Sequence, residues 1–376
     1  MKPVVVVIAE LRYGIGGVAS YFRCLEPHLV QHVEYLATGA PRAGRGLVAT
    51  AVRLGKDWAR VCAAVLRPDV KILHVNPSLN ARAVFRDAWH VLAARLAGKK
   101  VLVFWHGWDW DFAARLDRGL WALLFRVSYA HADAHVVLAS RFRDYLLRRG
   151  CRGPVHCEST SVPDELFAAL RPDTGRRVGP LRLLFLSRIE KDKGIYVAID
   201  TAAALQRSGR EVSLVVAGDG AERGAAEEYV RRNGVQGVSF AGYVVGEQKH
   251  RVLSDADVYL FPSSHGEGMP LSVLEAMAAG LPIVCTRVAG LDDFFEDGRM
   301  GYSTRTPSVE SFVERVALLA GERQRWRAIA EFNHQYAKAN FSASVVAARL
   351  CAIYGQVGGD VPAAEAHPPT ARDRDQ

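Results

Sequence analysis

Residues 258–285 read Val258-Tyr-Leu-Phe261, then Pro-Ser-Ser-His-Gly, then Glu267-Gly-Met-Pro-Leu-Ser-Val-Leu-Glu275, then Ala-Met-Ala-Ala-Gly280-Leu-Pro-Ile283-Val-Cys285. Two short apolar runs, 258–261 and 283–285, enclose one helical pattern over 270–279. That is the signature of a strand, a crossover helix and a parallel strand. Pro270 suits the first turn of the helix, where its missing N–H has no partner to lose. Gly280 is placed to close the helix in a left-handed cap. Glu267 stands just ahead of the helix and Glu275 one to two turns inside it. A helix N-terminus flanked by two carboxylates suits a ligand that carries both phosphate and hydroxyl groups.

The same alternation runs through the whole chain. Strands are predicted at 4–8, 33–37, 70–75, 101–105 and 134–138, with helices near 17–30, 47–66, 80–97, 112–130 and 140–149 between them. Residues 169–180 contain two prolines, two glycines and no apolar period, which marks a linker. Strands then resume at 181–186, 212–217, 238–240, 258–261 and 283–285, and helices over 308–320, 322–338 and 343–355 close the pattern. Uninterrupted apolar strands between helices imply parallel sheets covered on both faces. The expected organisation is a first Rossmann-like domain over 1–168, the linker, and a second Rossmann-like domain over 181–340. A terminal helix over 341–356 and a disordered tail over 357–376 follow. Ligands of such sheets bind at the carboxyl ends of the strands.

Composition narrows the class. The 376 residues are 49% hydrophobic and 23% charged, with a formal net charge of +8, which excludes a disordered chain or a small disulfide scaffold. The six cysteines form no Cys-x-x-Cys pair and are expected to be reduced thiols in a cytosol. Residues 1–170 hold 23 Lys+Arg against 14 Asp+Glu, and the remainder holds 25 against 26, so the excess positive charge lies in the first half. Within 47–67, Arg53, Lys56, Arg60 and Arg67 fall on one arc of about 60°, opposite Leu54, Trp58, Val61 and Val65. A basic amphipathic helix of this kind fits a membrane surface, and equally a helix packed by its apolar stripe.

Three further motifs carry chemistry. Ser187-Arg188-Ile-Glu-Lys-Asp-Lys193 follows the strand at 181–186, and its guanidinium and ammonium suit a diphosphate leaving group. Gly14-Ile-Gly16-Gly17-Val-Ala19 matches a dinucleotide fingerprint, with Glu34 about twenty residues on. However, Glu10-Leu-Arg-Tyr13 separates the glycines from their strand, so a glycine loop bordering a cleft fits better than a nicotinamide site. His106, directly after the strand at 101–105, is placed at a carboxyl end where chemistry occurs. Asp109-Trp-Asp111 and Asp255-Ala-Asp257 lack a third ligand, so no metal is expected. The absence of Walker A, Gly-x-Ser-x-Gly, zinc-spacing and RNA-binding aromatic signatures sets aside ATPases, hydrolases and nucleic-acid modules.

Taken together, these motifs resemble the retaining glycosyltransferases of family 4, over about residues 1–355 and most strongly over 181–290. The Glu-x7-Glu segment with its Ala-Met-Ala-Ala-Gly-Leu-Pro continuation, Arg188 with Lys193, and Gly218-Asp219-Gly220 carry the likeness. Val288-Ala289-Gly290 departs from the family's more usual double glycine. The resemblance implies the GT-B fold, an α/β architecture of two Rossmann-like domains facing an interdomain cleft. It also implies transfer of a hexosyl group from a nucleoside diphosphate sugar to an acceptor hydroxyl with retained configuration, without metal or other cofactor. By that likeness Glu267 contacts the sugar hydroxyls and Glu275 the ribose, while Arg188 and Lys193 grip the diphosphate. The amides of Gly268, Met269 and Leu271 assist, Gly16, Gly17 and Gly218 border the donor, and His106 stands at the reacting centre. The terminal helix is expected to return to the first domain. The basic first half and residues 47–67 point to a lipid-linked or surface-polysaccharide acceptor (as in lipopolysaccharide assembly) at the cytoplasmic face of a membrane. A nucleotide-sugar epimerase or hydrolase, or a non-catalytic scaffold, are the alternatives on the same fold.

Overall fold

Fourteen strands, nearly all of them in two parallel sheets, organise the residues described by the computed structural model: 4–9, 17–29, 33–38, 47–170, 172, 179–264, 268–288, 290–321 and 323–358. In chain order they are β1 Val4–Ile8, β2 Val33–Leu36, β3 Val70–Val75, β4 Ser78–Leu79, β5 Lys100–Trp105, β6 Gly107–Trp108, β7 Ala134–Val137 and β8 Val155–Cys157. They continue as β9 Leu181–Leu186, β10 Val212–Ala217, β11 Val238–Gly242, β12 Val258–Phe261, β13 Ile283–Thr286 and β14 Gly301–Thr304. The chain divides into two units, Val162–Ser342 and the remainder.

In the first unit the sheet order is β2-β1-β3-β5-β7-β8, all parallel. β4 and β6 pair separately at its carboxyl end. The strands are Val-rich because both faces are covered, and Val5, Val6, Val7, Ile72, Leu73, Val101 and Val103 are fully buried. The chain leaves β1 in one direction along the sheet and β2, β3 and β5 in the other. Right-handed crossovers therefore set helix Gly17–Leu29 on one face and helices Leu47–Val65, Ala81–Leu96 and Gly119–Val127 on the other. Helix Ala343–Gly358 packs against Gly17–Leu29, β3 and β5, so the end of the chain completes the first unit. His74 on β3 meets Tyr354 of that helix, Nδ1 to Oη 2.7 Å.

In the second unit the order is β11-β10-β9-β12-β13-β14. Helices Ile195–Arg207, Arg223–Arg232 and Val309–Gly321 lie on one face; Gly246–Asp255, Leu271–Ala278 and Arg323–Phe341 lie on the other. Leu166 and Phe167 of helix Asp164–Ala169 sit in the core beneath the second group. The unit boundary accordingly falls at Ser161, ahead of the stretch read as a linker, of which 171 and 173–178 lie outside the described residues. Most of the tail read as disordered lies outside them too.

The expected helix over 112–130 is two, Trp110–Arg115 and Gly119–Val127, because Gly119 takes φ 61° at the break. The helix read over 47–67 ends at Val65. Arg67, beyond it, is bound to Asp69 (2.6 Å) and to Glu34 (2.7 Å), which removes it from the basic face. The carboxylate that a dinucleotide fingerprint would require is thus engaged by an arginine.

Candidate functional site

The second sheet reverses direction between β9 and β12, and loops diverging from such a point leave a crevice at the carboxyl ends of the strands. The two strongest sequence motifs flank it. Residues 187–194 follow β9, and residues 262–270 follow β12. The loops are knitted together: Ser264 donates through its N–H (2.8 Å) and Oγ (3.1 Å) to the Asp192 carbonyl. The Tyr259 hydroxyl donates to the Leu186 carbonyl at 3.1 Å and lies 2.8 Å from Ser272 Oγ. The end of β9 is thereby fixed to the first turn of helix Leu271–Ala278.

On this frame Arg188 is exposed, with Nη1 2.7 Å from Glu190 Oε1. Lys193 is not the mobile charge that its loop position suggests; it is 4% exposed. A lysine so enclosed is tolerated only where anionic or polar groups surround it. Gly218, at the end of β10, has φ 141°, and a Cβ there would collide with the Ser187 carbonyl. Its N–H donates to the Gly242 carbonyl (2.7 Å), and the Ser187 N–H to the Ala217 carbonyl (3.1 Å). The glycine is therefore required for the contact between two strand-end loops, one of which carries Arg188.

Helix Leu271–Ala278 starts one residue later than expected, with Pro270 as its extended N-cap. Gly280, at φ 77°, closes it, with N–H bonds from Gly280 to the Met277 carbonyl (2.9 Å) and from Leu281 to that of Ala276 (2.9 Å). The Val273 N–H donates to the carbonyl of the N-cap Pro270 (3.1 Å), while the amides ahead of it, at the start of a helix, suit an anion. Gly268 is buried, and Met269 and Leu271 are half-buried beside it. Glu275 is 6% exposed, and its Oε1 accepts from Lys249 Nζ at 2.9 Å. Glu267 lies outside the described residues.

In the first unit His106 follows β5, its ring stacked on Phe104 with centroids 4.0 Å apart and edge-on to Tyr21. Its Nε2 lies 3.0 Å from Asn76 Oδ1, and Asn76 Nδ2 donates to the Ile8 carbonyl (3.2 Å). Because the asparagine amide points at Ile8, its oxygen faces the imidazole and Nε2 must carry the proton. Burial lowers the His106 pKa to about 3, so the ring is neutral with Nδ1 as its acceptor. Gly17 opens helix Gly17–Leu29, while Gly16 lies outside the described residues. The units' candidate residues thus form two groups: Arg188, Lys193, Gly218, Gly268, Met269, Leu271 and Glu275 in the second, His106 and Gly17 in the first.

One aspartate of each Asp-x-Asp pair has a structural partner. Asp109 caps helix Trp110–Arg115 by accepting from Phe112 N–H (3.0 Å), and Asp257 accepts from the Arg182 N–H and guanidinium. Among the described residues no three His, Cys, Asp or Glu side chains are grouped to hold a metal ion. Sequence reading missed Lys249 and Asn76. Lys249 sits in an ordinary charged helix, and only the crossover from β11 to β12 brings it to Glu275. Asn76 had one available signal, its place immediately after β3.

Residues 167–337 match the family model of glycosyl transferases group 1. The chain is 30% identical over 242 residues to alpha-D-kanosaminyltransferase of Streptomyces kanamyceticus, covering 60% of this chain and 61% of that one. It is 25% identical over 276 residues to a putative colanic acid biosynthesis glycosyltransferase of Salmonella typhimurium, covering 68% and 63%. The chain thus spans about three-fifths of the length of these relatives. Among solved structures, sucrose-phosphate synthase from Thermosynechococcus elongatus superposes with a TM-score of 0.74 at 17% identity, over 95% of this chain and 99% of that one. Anabaena HepE, solved with UDP and glucose, superposes with a TM-score of 0.68 at 14% identity, over 94% and 100%. These likenesses show the fold: two Rossmann-like α/β units of the GT-B type.

Proposed function

We propose that this chain, whose second unit carries a glycosyl transferases group 1 domain, is a retaining, metal-independent hexosyltransferase of family 4 using a nucleoside diphosphate sugar. The observation that carries the reading is the knitting of the Arg188–Lys193 loop to the first turn of the Glu275 helix through Ser264 and Tyr259. One crevice in the second unit then offers cations for a diphosphate, helix amides for its oxygens and a carboxylate for hydroxyl groups. Lys249 occupies one acceptor site of Glu275, and a carboxylate has about four, so the ribose diol still finds partners. Glu267 is assigned to the sugar hydroxyls, and His106, with Nδ1 as acceptor, to the sugar near its reacting carbon.

In the proposed reaction the bond from the anomeric carbon to the diphosphate oxygen breaks as the bond to the acceptor oxygen forms on the same face. The acceptor proton passes to the departing diphosphate. Arg188 and Lys193 stabilise the charge that develops on that leaving group. Sequence offers no carboxylate placed as a nucleophile, so no covalent intermediate is required. The relatives named for colanic acid and amylovoran biosynthesis favour a surface-polysaccharide or lipid-linked glycan acceptor. The protein would then act in the cytoplasm, with helix Leu47–Val65 meeting the membrane; its cysteines form no disulfide, and no helix among the described residues is long and apolar enough to cross a bilayer.

A thermal-shift panel of UDP-, GDP-, ADP- and TDP-sugars tests the donor assignment, because a ligand bound only by the native state raises its melting temperature. One nucleotide series should shift Tm, and the product formed with an oligosaccharide acceptor should keep the donor's anomeric configuration by NMR. An inverted product, or no shift with any donor, overturns the reading. Donor consumed at full rate without acceptor would mark a hydrolase or epimerase instead.

A further inference from the structure

We infer that the outer face of three helices in the first unit, Leu47–Val65, Ala81–Leu96 and Gly119–Val127, is a docking surface for an anionic lipid bilayer. The inference deepens the proposal of a membrane-borne acceptor and rests on that part of it, but it draws on residues of the first unit, none of which is assigned to the donor crevice of the second.

The three helices lie side by side on one face of the first sheet, and Arg95 Nη1 ties the second to the third by donating to the Val127 carbonyl at 2.7 Å. Among the described residues, nine of the fourteen large exposed hydrophobic side chains are on these three helices. A surface of scattered single residues would not concentrate them so. Trp58, Phe85 and Trp89, each about half exposed, line a cleft of about 710 Å³ between the first two helices. Leu96 is 89% exposed and Leu120 83% exposed, so nothing among the described residues covers this ridge.

The apolar stripe of the first helix divides in two. Val61 and Val65 enter the core, whereas Leu54 and Trp58 remain outside. Core packing therefore uses half of the stripe and leaves the other half open.

Charge decides the occupant. The three helices carry seven Lys or Arg residues and two carboxylates. Both carboxylates are buried: Asp57 lies 3.7 Å from Arg60, and Asp87 is gripped by Arg86 at 2.6 and 2.7 Å. No carboxylate on these helices is exposed, so their outer surface carries only positive charge; on the first helix Lys56 and Arg60 lie on the arc opposite Leu54 and Trp58 and flank the apolar strip from the other side. Indole rings favour the boundary between hydrocarbon and water, and arginine and lysine favour anionic headgroups. A second copy of the chain would bring the same positive face and be repelled.

Flotation of the full chain with vesicles of phosphatidylglycerol and phosphatidylcholine, against phosphatidylcholine alone, tests this. At low salt the protein should float with the anionic vesicles and stay behind with the neutral ones. Lys56→Ala with Arg82→Ala should weaken binding roughly 25-fold, about fivefold per charge removed. Trp58→Ser with Trp89→Ser, and separately Leu120→Glu with Leu123→Glu, should abolish flotation while far-ultraviolet circular dichroism stays unchanged. The two apolar pairs lie on different helices, so misfolding of one variant leaves the other as a test. Failure of the unaltered chain to float, equal binding to neutral vesicles, or unchanged flotation of the folded variants overturns the inference. So does a dimer in solution that Trp58→Ser dissociates while flotation persists. Donor-induced thermal shifts should be the same in all variants; their absence in the unaltered chain would count against the transferase reading and not against this face.

Discussion

Lys249 Nζ lies 2.9 Å from Glu275 Oε1, joining helices Gly246–Asp255 and Leu271–Ala278 across the face of the second sheet. The side chain of Glu275 is only 8% exposed and that of Lys249 27%, so each holds the other in an environment where an unpaired charge is costly. The pair fixes the carboxylate that is proposed to receive the ribose.

Removing one partner should therefore cost more than removing both. Lys249→Met is expected to lower stability by about 1–3 kcal/mol, the penalty of a shielded group left without its hydrogen bond. Adding Glu275→Gln should restore much of that stability, giving a favourable coupling in a double-mutant cycle. Donor affinity should not return, because the ribose acceptor is gone. Chemical denaturation and donor titration of the four proteins separate the two effects, and a double variant that binds donor normally would remove Glu275 from the site.

Arg188 and Lys193 are predicted to act on the leaving diphosphate. Arg188→Ala and Lys193→Met should each lower kcat about 10²–10³-fold, with a smaller change in KM, because charge develops on the diphosphate only as the bond breaks. Single-turnover rates at saturating donor measure this. A double variant with near-normal turnover would show that neither group serves the chemistry.

The arrangement of β and α elements was legible because both sheets are buried, and buried parallel strands are written as apolar runs. Val70–Val75, Leu181–Leu186 and Val258–Phe261 are such runs. Among the strands that escaped notice, Val155–Cys157 and Gly301–Thr304 are short edge strands that carry polar residues, His156 in the first and Ser303 and Thr304 in the second, and the two-residue strands Ser78–Leu79 and Gly107–Trp108 are too short to show a pattern. An edge strand has one neighbour and needs less apolar surface. At the site, motifs local in sequence were readable, whereas partners supplied by crossovers were not. Lys249 comes to Glu275 from 26 residues away, and Asn76 to His106 from 30. No periodicity or spacing encodes those meetings, since they follow from strand order.

Gly218 offers a test of backbone packing. Any side chain at its φ of 141° is strained, and a Cβ would collide with the Ser187 carbonyl. Gly218→Ala should cost more than about 2 kcal/mol of stability and displace the loop carrying Arg188. Activity should fall with stability here, whereas Gly224→Ala, in open space on a helix, should leave both intact. A Gly218→Ala protein with unchanged melting and turnover would contradict the close approach of these loops.

Histidines of the first unit contribute to its response to acid, His74, His106 and His135 most strongly, with His131 and His156 also lowered by desolvation. Burial lowers His74 and His106 to about 3 and His135 to about 4, and the proximity of His106 adds to the effect on His74. In the unfolded chain each titrates near 6.5, so between roughly pH 6.5 and 3 the unfolded state binds more protons and stability rises with pH. Above about pH 6.5 the groups are neutral in both states and contribute no slope. Melting temperature should thus be level near neutrality and fall as the solution is acidified. His74→Gln or His135→Gln should each flatten that fall by up to about 1.4 kcal/mol per pH unit, whatever their effect at pH 7. The same depression keeps His106 neutral throughout the working range, with its tautomer set by Asn76. Asn76→Ala should therefore weaken turnover without moving the acid limb of the pH–rate profile. An acid limb near pH 6.5 that disappears in His106→Gln would show instead that His106 changes charge during the reaction.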